Sequence, residues 1–308
     1  MNKAYRIGLI IFLCIFTHNL ILPGSVQAKE RPQISDGEQK ASELLLKMTP
    51  EEKIGQLFLV SFQGAEVNSD SKIYDLIVNY QIGGVILNSR NNNFVSVDTN
   101  NQIYTLLQDL QTFEWENSQQ TITDPASREI VQQNYIPLFA AVSQEGDSYP
   151  NSQILNGVTQ QPNQMAIGAT WNPQNAENVG YILGYELHSL GFNMLLGPSL
   201  DVLDLPYVDG GDDLGTRTFG GDPYWVGEMG KAYIRGVHLG SNNAMAVIAK
   251  HFPGRGSSDR LPEEEVATVR KSLEQLKQIE LAPFFAVTGN ANDKNAMTDG
   301  LLVSHIRY

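Results

Sequence analysis

Apolar runs alternate with amphipathic stretches along most of this chain. Leu57–Phe62, Val85–Leu87, Pro137–Val142, Phe192–Leu196, Met245–Ala249 and Leu301–Ser304 are short and largely apolar. Runs of this kind predict strands buried on both faces. Between them, Ser71–Tyr80, Asn101–Leu110, Pro173–Leu190, Pro223–Leu239 and most of Pro262–Ala286 carry helical patterning. The boundaries are punctuated. Thr49, Pro50 and Glu52 form a capping-box start, and Gly83-Gly84, Gly191 and Gly240 stop the helices they follow. KASELLLKM, residues 40–48, predicts a further short helix, and the polar segment Thr112–Glu129 an extended loop.

Strand-helix alternation implies parallel βα units. An open doubly wound sheet and a (β/α)8 barrel both fit that pattern. A dinucleotide-binding sheet needs G-x-G-x-x-G after its first strand, and residues 63–70 read QGAEVNSD instead. In a barrel, polar residues at the C-terminal strand ends converge on one mouth. Asn88, Ser143-Gln144-Glu145, Ser199, Asp201, Lys250-His251 and His305 stand at those ends. The expected fold class is therefore α/β, a TIM-type (β/α)8 barrel. It is expected to be incomplete, with about six of eight βα units present and two open edges.

Charge and leader patterning narrow the partners. The net charge over 308 residues is −13, which repels phosphate backbones and argues against nucleic acid. Lys3 and Arg6 precede the apolar stretch Ile7–Phe16, and Val26-Gln27-Ala28 closes the segment. This is the layout of a secretory signal peptide cleaved after Ala28. The expected organisation is a signal peptide over 1–28, a linker over 29–40 and a barrel domain over 41–308. The expected location is secreted, extracellular or in the cell envelope. Cys14 is the single cysteine, so the mature chain would have no thiol for a disulfide, a metal or a nucleophile. No later run is long enough to span a membrane, and no spacing suggests a metal site.

The candidate chemistry clusters late in the chain. AKHFPGRG, residues 249–256, sets Lys250 and His251 at a strand end that Pro253 and Gly254 turn sharply. Lys250 could donate to sugar hydroxyls or pair internally with Asp201 or Glu145. His251 alone reads more simply as a structural histidine. Arg217, in TRTFGGDP, is delivered towards the mouth or staples Asp212 or Asp213. Asp222 suits a helix N-cap, and Glu263, Glu264 and Glu265 suit the first turn of a helix.

GTRTFGGDPYWVGEMG and VIAKHFPGRG, in that order, resemble the N-terminal domain of glycoside hydrolase family 3, and LFAAVSQEGD and GLLVSHIRY also fit. The resemblance covers roughly Leu44–Tyr308 and implies a (β/α)8 barrel without a cofactor. It implies hydrolysis of terminal β-linked glycans, β-N-acetylhexosaminide or β-glucoside, by a retaining mechanism in a full-length parent. Arg217, Lys250 and His251 fall where the family binds the hydroxyls of the −1 sugar, and Asp201 matches an acidic residue near that subsite. There are departures. Ser143-Gln144-Glu145-Gly146 stands where Asp-Gln-Glu-Gly is usual, and GRGSSDRLPEEE offers Asp259 as an acid/base candidate but no histidine. The family's nucleophilic aspartate follows a seventh strand and so lies beyond Tyr308, which makes the fragment alone an unlikely catalyst. The alternatives are a sugar-binding protein without catalysis and an inactive remnant on the same barrel.

Overall fold

The computed structural model describes residues 36–123, 128, 130–147, 149, 151–204, 215–256, 258, 266–289 and 293–308. The expected signal peptide, residues 29–35, Asp212, Asp213, Asp259 and Glu263–Glu265 lie outside them. The chain divides into two compact units, Met1–Lys47 and Met48–Tyr308. In the first, helix α1 spans Asp36–Lys47, so the helix expected from Lys40 begins four residues earlier, inside the stretch read as linker.

The second unit is built on six parallel strands: β1 Leu59–Ser61, β2 Gly84–Ile86, β3 Phe139–Val142, β4 Met194–Ser199, β5 Ala246–Phe252 and β6 Gly300–Val303. Their order in the sheet is their order in the chain. Each strand lies beside its predecessor, as successive βα units of a barrel require. The sheet is a curled half-barrel, the incomplete TIM-type architecture expected. Ala140, Ala141, Val142, Leu195, Val247 and Ala249 are buried in the inner strands. The expectation of burial on both faces fails at the edge strands, where Leu59, Leu302 and Val303 are exposed because no neighbouring strand covers them among the described residues.

The helices are α2 Pro50–Gly55, α3 Lys72–Val78, α4 Thr99–Ser118, α5 Gln164–Gly168, α6 Pro173–Ser189, α7 Pro223–Gly240, α8 Leu273–Gln278 and α9 Ala282–Ala286. Thr49 caps α2 in a full capping box with Glu52, and Asp222 caps α7 through Trp225 N at 3.0 Å. Two further expectations fail. The segment Thr112–Glu129 is not one loop: α4 continues to Ser118, and Thr121–Thr123 pairs antiparallel with Ile130–Gln132. The helical period survives because its inward positions are polar yet partnered. Glu114 accepts from Ile136 N at 3.2 Å, and Asn117 donates to Val78 O at 3.0 Å. The helix expected from Pro262 is also interrupted. Ala267–Thr268 pairs in parallel with Ile306–Arg307, and only then does Ser272 cap α8.

At the N-terminal end of the sheet, His238 of α7 ties down β6. Its Nδ1 meets Asn295 O at 2.7 Å and its Nε2 meets Asp299 Oδ2 at 2.9 Å. Both partners are acceptors, so the ring carries both protons. Asp299 Oδ2 also accepts from Val247 N at 2.8 Å, joining β5 to the approach of β6.

Burial pushes the Glu114 carboxyl up to about 7; the Ile136 N–H opposes this and the Glu52 carboxylate adds to it. A raised native pKa means that the folded state holds the proton more tightly than the unfolded chain does. Its contribution to stability is complete below the usual 4.5 and is lost as pH climbs towards 7. Glu114→Gln keeps the acceptor for Ile136 N and removes the charge. In thermal melts it is expected to match the parent at pH 4.5 and to melt higher at pH 8; an equal or lower Tm at pH 8 contradicts this account.

Candidate functional site

The mouth is shaped where β4 and β5 lose regular register. The β4–β5 ladder shifts between Leu196 and Ser199, and the β5–β6 ladder shifts between Lys250 and Phe252. His251 is the extra residue opposite β6. A bulge of this kind re-aims side chains that strict alternation would send to opposite faces. Lys250 and His251 therefore lie within β5, not after its end as the sequence suggested. The peptide joining them is cis. Gln164 of α5 holds the neighbouring irregularity: its Nε2 donates to Ser199 O at 3.0 Å, and its Oε1 accepts from Ser199 N at 3.2 Å.

Two buried ion pairs follow. Lys250 Nζ lies 3.0 Å from Glu145 Oε2, with both side chains more than nine-tenths buried. Of the two internal partners weighed for Lys250, Glu145 is the one it meets. Asp201, fully buried, takes His251. Nδ1 of His251 donates to Asp201 Oδ2 at 2.7 Å, Ser199 Oγ donates to the same oxygen at 2.9 Å, and Arg255 N donates to Oδ1 at 2.8 Å. Burial pushes the Asp201 carboxyl up. The charge and hydrogen bond of His251, with the charge and backbone N–H of Arg255, outweigh that and hold it below the usual carboxylate range. Asp201 is thus a fixed negative charge, suited to orienting and not to donating a proton.

A third cluster braces the turn. Lys271 Nζ bridges Asp204 at 3.0 Å and Glu280 at 2.8 Å. Glu280 is fully buried; burial raises its carboxyl above the usual value, and the Lys271 hydrogen bond and charge counter only part of that. The turn after β5 presses on it. A Cβ on Gly254, which sits at φ +121°, would come within 2.6 Å of the Glu280 side chain, and one on Gly256 within 1.7 Å of Val202 O. Gly254 N closes the turn on His251 O at 2.8 Å, and Tyr308 Oη donates to Gly254 O.

The other expected residues distribute as follows. Arg217 is half-buried. Its neighbours are tethered to the mouth: Thr218 Oγ1 donates to Asp201 O at 2.6 Å, and Thr216 Oγ1 bonds Asp147. Gln144, beside Glu145, clamps the following loop by accepting from Gln153 N and Ile154 N and donating to Ile154 O. Ser143 is half-buried, and its carbonyl accepts from Gln153 N at 3.3 Å. His305 is exposed. Ser199 was legible as a strand-end residue and Tyr308 only as the last position of a quoted motif, whereas Lys271 and Glu280 carried no sequence signal for this site. Arg255 was visible only as a position inside the quoted motif. Among the described residues no group of histidine, cysteine and carboxylate side chains could hold a metal, and no helix is long and apolar enough to cross a membrane.

The family model described as Glycosyl hydrolase family 3 N terminal domain matches residues 49–308. A beta-hexosaminidase of Pseudomonas aeruginosa (strain LESB58) is 30% identical over 172 residues, 56% of this chain and 47% of its own. One from Hydrogenovibrio crunogenus is 28% identical over 186 residues, 58% of this chain and 48% of its own. A solved glycoside hydrolase family 3 beta-N-acetylglucosaminidase from Paenibacillus sp. str. FPU-7 superposes with TM-score 0.69 at 29% identity, covering 84% of this chain and 42% of that one. The chain thus spans about half the length of the curated relatives it matches.

Two outcomes follow from the packing. Asp201→Asn removes the buried counter-charge of His251 and is expected to lose about 3 kcal/mol in denaturant titrations at pH 7. The lowered native pKa means that this contribution is present above the usual 3.8 and fades as pH falls through the native value, so the difference should narrow in acid. Gly256→Ala should lower Tm far more than Gly289→Ala, since a Cβ at Gly289 meets nothing within 4 Å; equal effects would contradict the turn packing.

Proposed function

This chain belongs to glycosyl hydrolase family 3, and on that premise we propose that the half-barrel mouth binds the terminal sugar of a β-linked glycan for hydrolysis. The observation that carries the proposal is at Glu145. Its Oε2 pairs with Lys250, while its buried Oε1 has no hydrogen-bond partner among the described residues. A desolvated acceptor left open in a native site marks where a ligand donor belongs, and a sugar hydroxyl is such a donor. Lys250 Nζ has three protons, so it can hold Glu145 and still donate to a second oxygen. His251, fixed by Asp201, offers Nε2 to the same space. Arg217 is the fourth contact proposed, supported by the tethering of Thr216 and Thr218 on either side.

The proposed reaction is retaining hydrolysis of a β-N-acetylhexosaminide, the class named by the beta-hexosaminidase relatives, with β-glucoside as the alternative. It needs two carboxyls about 5 Å apart. Asp201 is an ionised anchor and suits neither role. The family resemblance assigns the nucleophile to a loop after a seventh strand, which the full-length parent would supply, and Asp259 remains the proposed acid/base. We also propose, from the pattern of residues 1–28, that the parent is exported to the extracellular space or cell envelope. Ser143, in place of the usual aspartate, favours a second reading: a barrel that binds sugar without turning it over.

The test is turnover of 4-nitrophenyl β-N-acetylglucosaminide and β-glucoside by the full-length product, beside titration of N-acetylglucosamine. Hydrolysis of the first substrate, with kcat/KM reduced about a hundredfold by Lys250→Met or Arg217→Met, is the expected result. Sugar binding without turnover establishes the second reading. Neither binding nor turnover defeats both.

A further inference from the structure

A second concave site lies outside the barrel, away from the mouth. It is a groove of about 340 Å³ along the outer side of α4, bordered by Tyr135 before β3 and Leu190-Gly191 before β4. Those borders approach the N-terminal ends of the strands, whereas Lys250 and Asp201 stand at the C-terminal ends. Tyr104, Gln108, Gln111 and Trp115 follow one another at helical spacing. The lining positions from Tyr104 to Trp115 therefore span ~16 Å along the helix axis.

Its lining is amphipathic in a particular way. Tyr104, Trp115 and Tyr135 are each between 41% and 50% exposed, although aromatic side chains of this size are ordinarily covered. Trp115 and Tyr135 meet edge to face at 5.3 Å and 90°, which holds both rings in place with parts of their faces open. Gln111 is committed to Leu138, donating to its O at 2.9 Å and accepting from its N at 3.1 Å. The Gln108 amide, the Thr112 hydroxyl, the two phenols and the indole N–H have no protein partner among the described residues. No charged side chain lines the groove, on a chain whose net charge is −13.

We infer that this groove is a second saccharide-binding site, for a neutral β-linked oligosaccharide. Pyranose rings present apolar C–H faces and an equatorial fringe of hydroxyls. Open aromatic faces meet the first, and uncommitted amide, hydroxyl and N–H groups meet the second. The uncharged lining matches an uncharged ligand, and the volume lies within the range of roughly 300–1,000 Å³ of small-molecule sites. The choice of glycan as ligand class rests on the glycan-directed reading of the mouth; the geometry of the groove does not. A site here would hold a polymer to the protein without occupying the mouth.

The experiment titrates triacetylchitotriose, then cellotriose, into the 308-residue chain, followed by calorimetry and tryptophan fluorescence. Saturable binding is expected. Trp115→Ala should weaken it by about tenfold or more, Trp115→Phe should restore most of it, and Lys250→Met should leave the groove-dependent part unchanged. Gln108→Glu, an exposed change on a helix surface, should also weaken it, and circular dichroism melts check that each variant is folded. Binding that survives Trp115→Ala and disappears in Lys250→Met would sink the groove proposal and leave the mouth reading standing. No binding of either probe, or a concentration-dependent dimer that Trp115→Ala abolishes, would also overturn it, the latter identifying a second copy of the chain as the occupant. Binding lost in Trp115→Ala alone supports the groove and leaves the mouth to be judged by turnover.

Discussion

A carboxylate with no exposure to water sits at the centre of this structure. Removing Asp201 from solvent is costly unless charge and hydrogen bonds replace the water. Ser199, His251 and the backbone and side chain of Arg255 together provide them. That requirement fixes three pieces of chain at once: the end of β4, the bulge of β5 and the turn beyond it. The loop at Thr218 is tied to the same residue through its carbonyl. The mouth is therefore a preorganised arrangement whose parts share one anion.

Around that anion the charges are layered. Two further clusters accompany it, Lys250–Glu145 and Lys271–Asp204–Glu280. Each is buried and each contains at least one carboxylate held by a lysine. Ion pairs of this sort add little net stability compared with apolar packing, but they penalise any conformation that separates them. The turn glycines contribute differently. Gly254 and Gly256 let the backbone lie directly on Glu280 and Val202, so the charged layer and the turn are in van der Waals contact. In the first pair, Glu145 Oε1 is a buried acceptor with no hydrogen-bond partner among the described residues.

The two faces of the half-barrel solve different problems. The C-terminal strand ends carry bulges, ion pairs and short-range clamps that hold a constellation of groups still. The opposite end carries structural polar contacts, His238 with Asp299 and Glu114 with Ile136, which fasten strands and helices together. The groove along α4 belongs to neither set. Its rings are partly open and, among the described residues, most of its polar groups are uncommitted.

Much of this was legible in the linear chain. Six strands in parallel βα alternation, the caps at Thr49 and Asp222, and the convergence of Glu145, Asp201, Lys250 and His251 on one end all follow from local rules, because patterning and capping act within a few residues; the exposure of the two edge strands does not. The length of α4 was not legible: Glu114 and Asn117 look like loop residues until Ile136 N and Val78 O are brought to them. Nor could spacing choose between Asp201 and Glu145 as the partner of Lys250, or reveal Glu280 as buried in a stretch that reads as helix surface. Those outcomes depend on which groups are desolvated together, and desolvation is decided by contacts between residues far apart in sequence. The sequence alone determined the six sheet strands, their order and the chemistry available at the mouth. The tertiary structure alone decided which charges neutralise one another and which acceptor is left open.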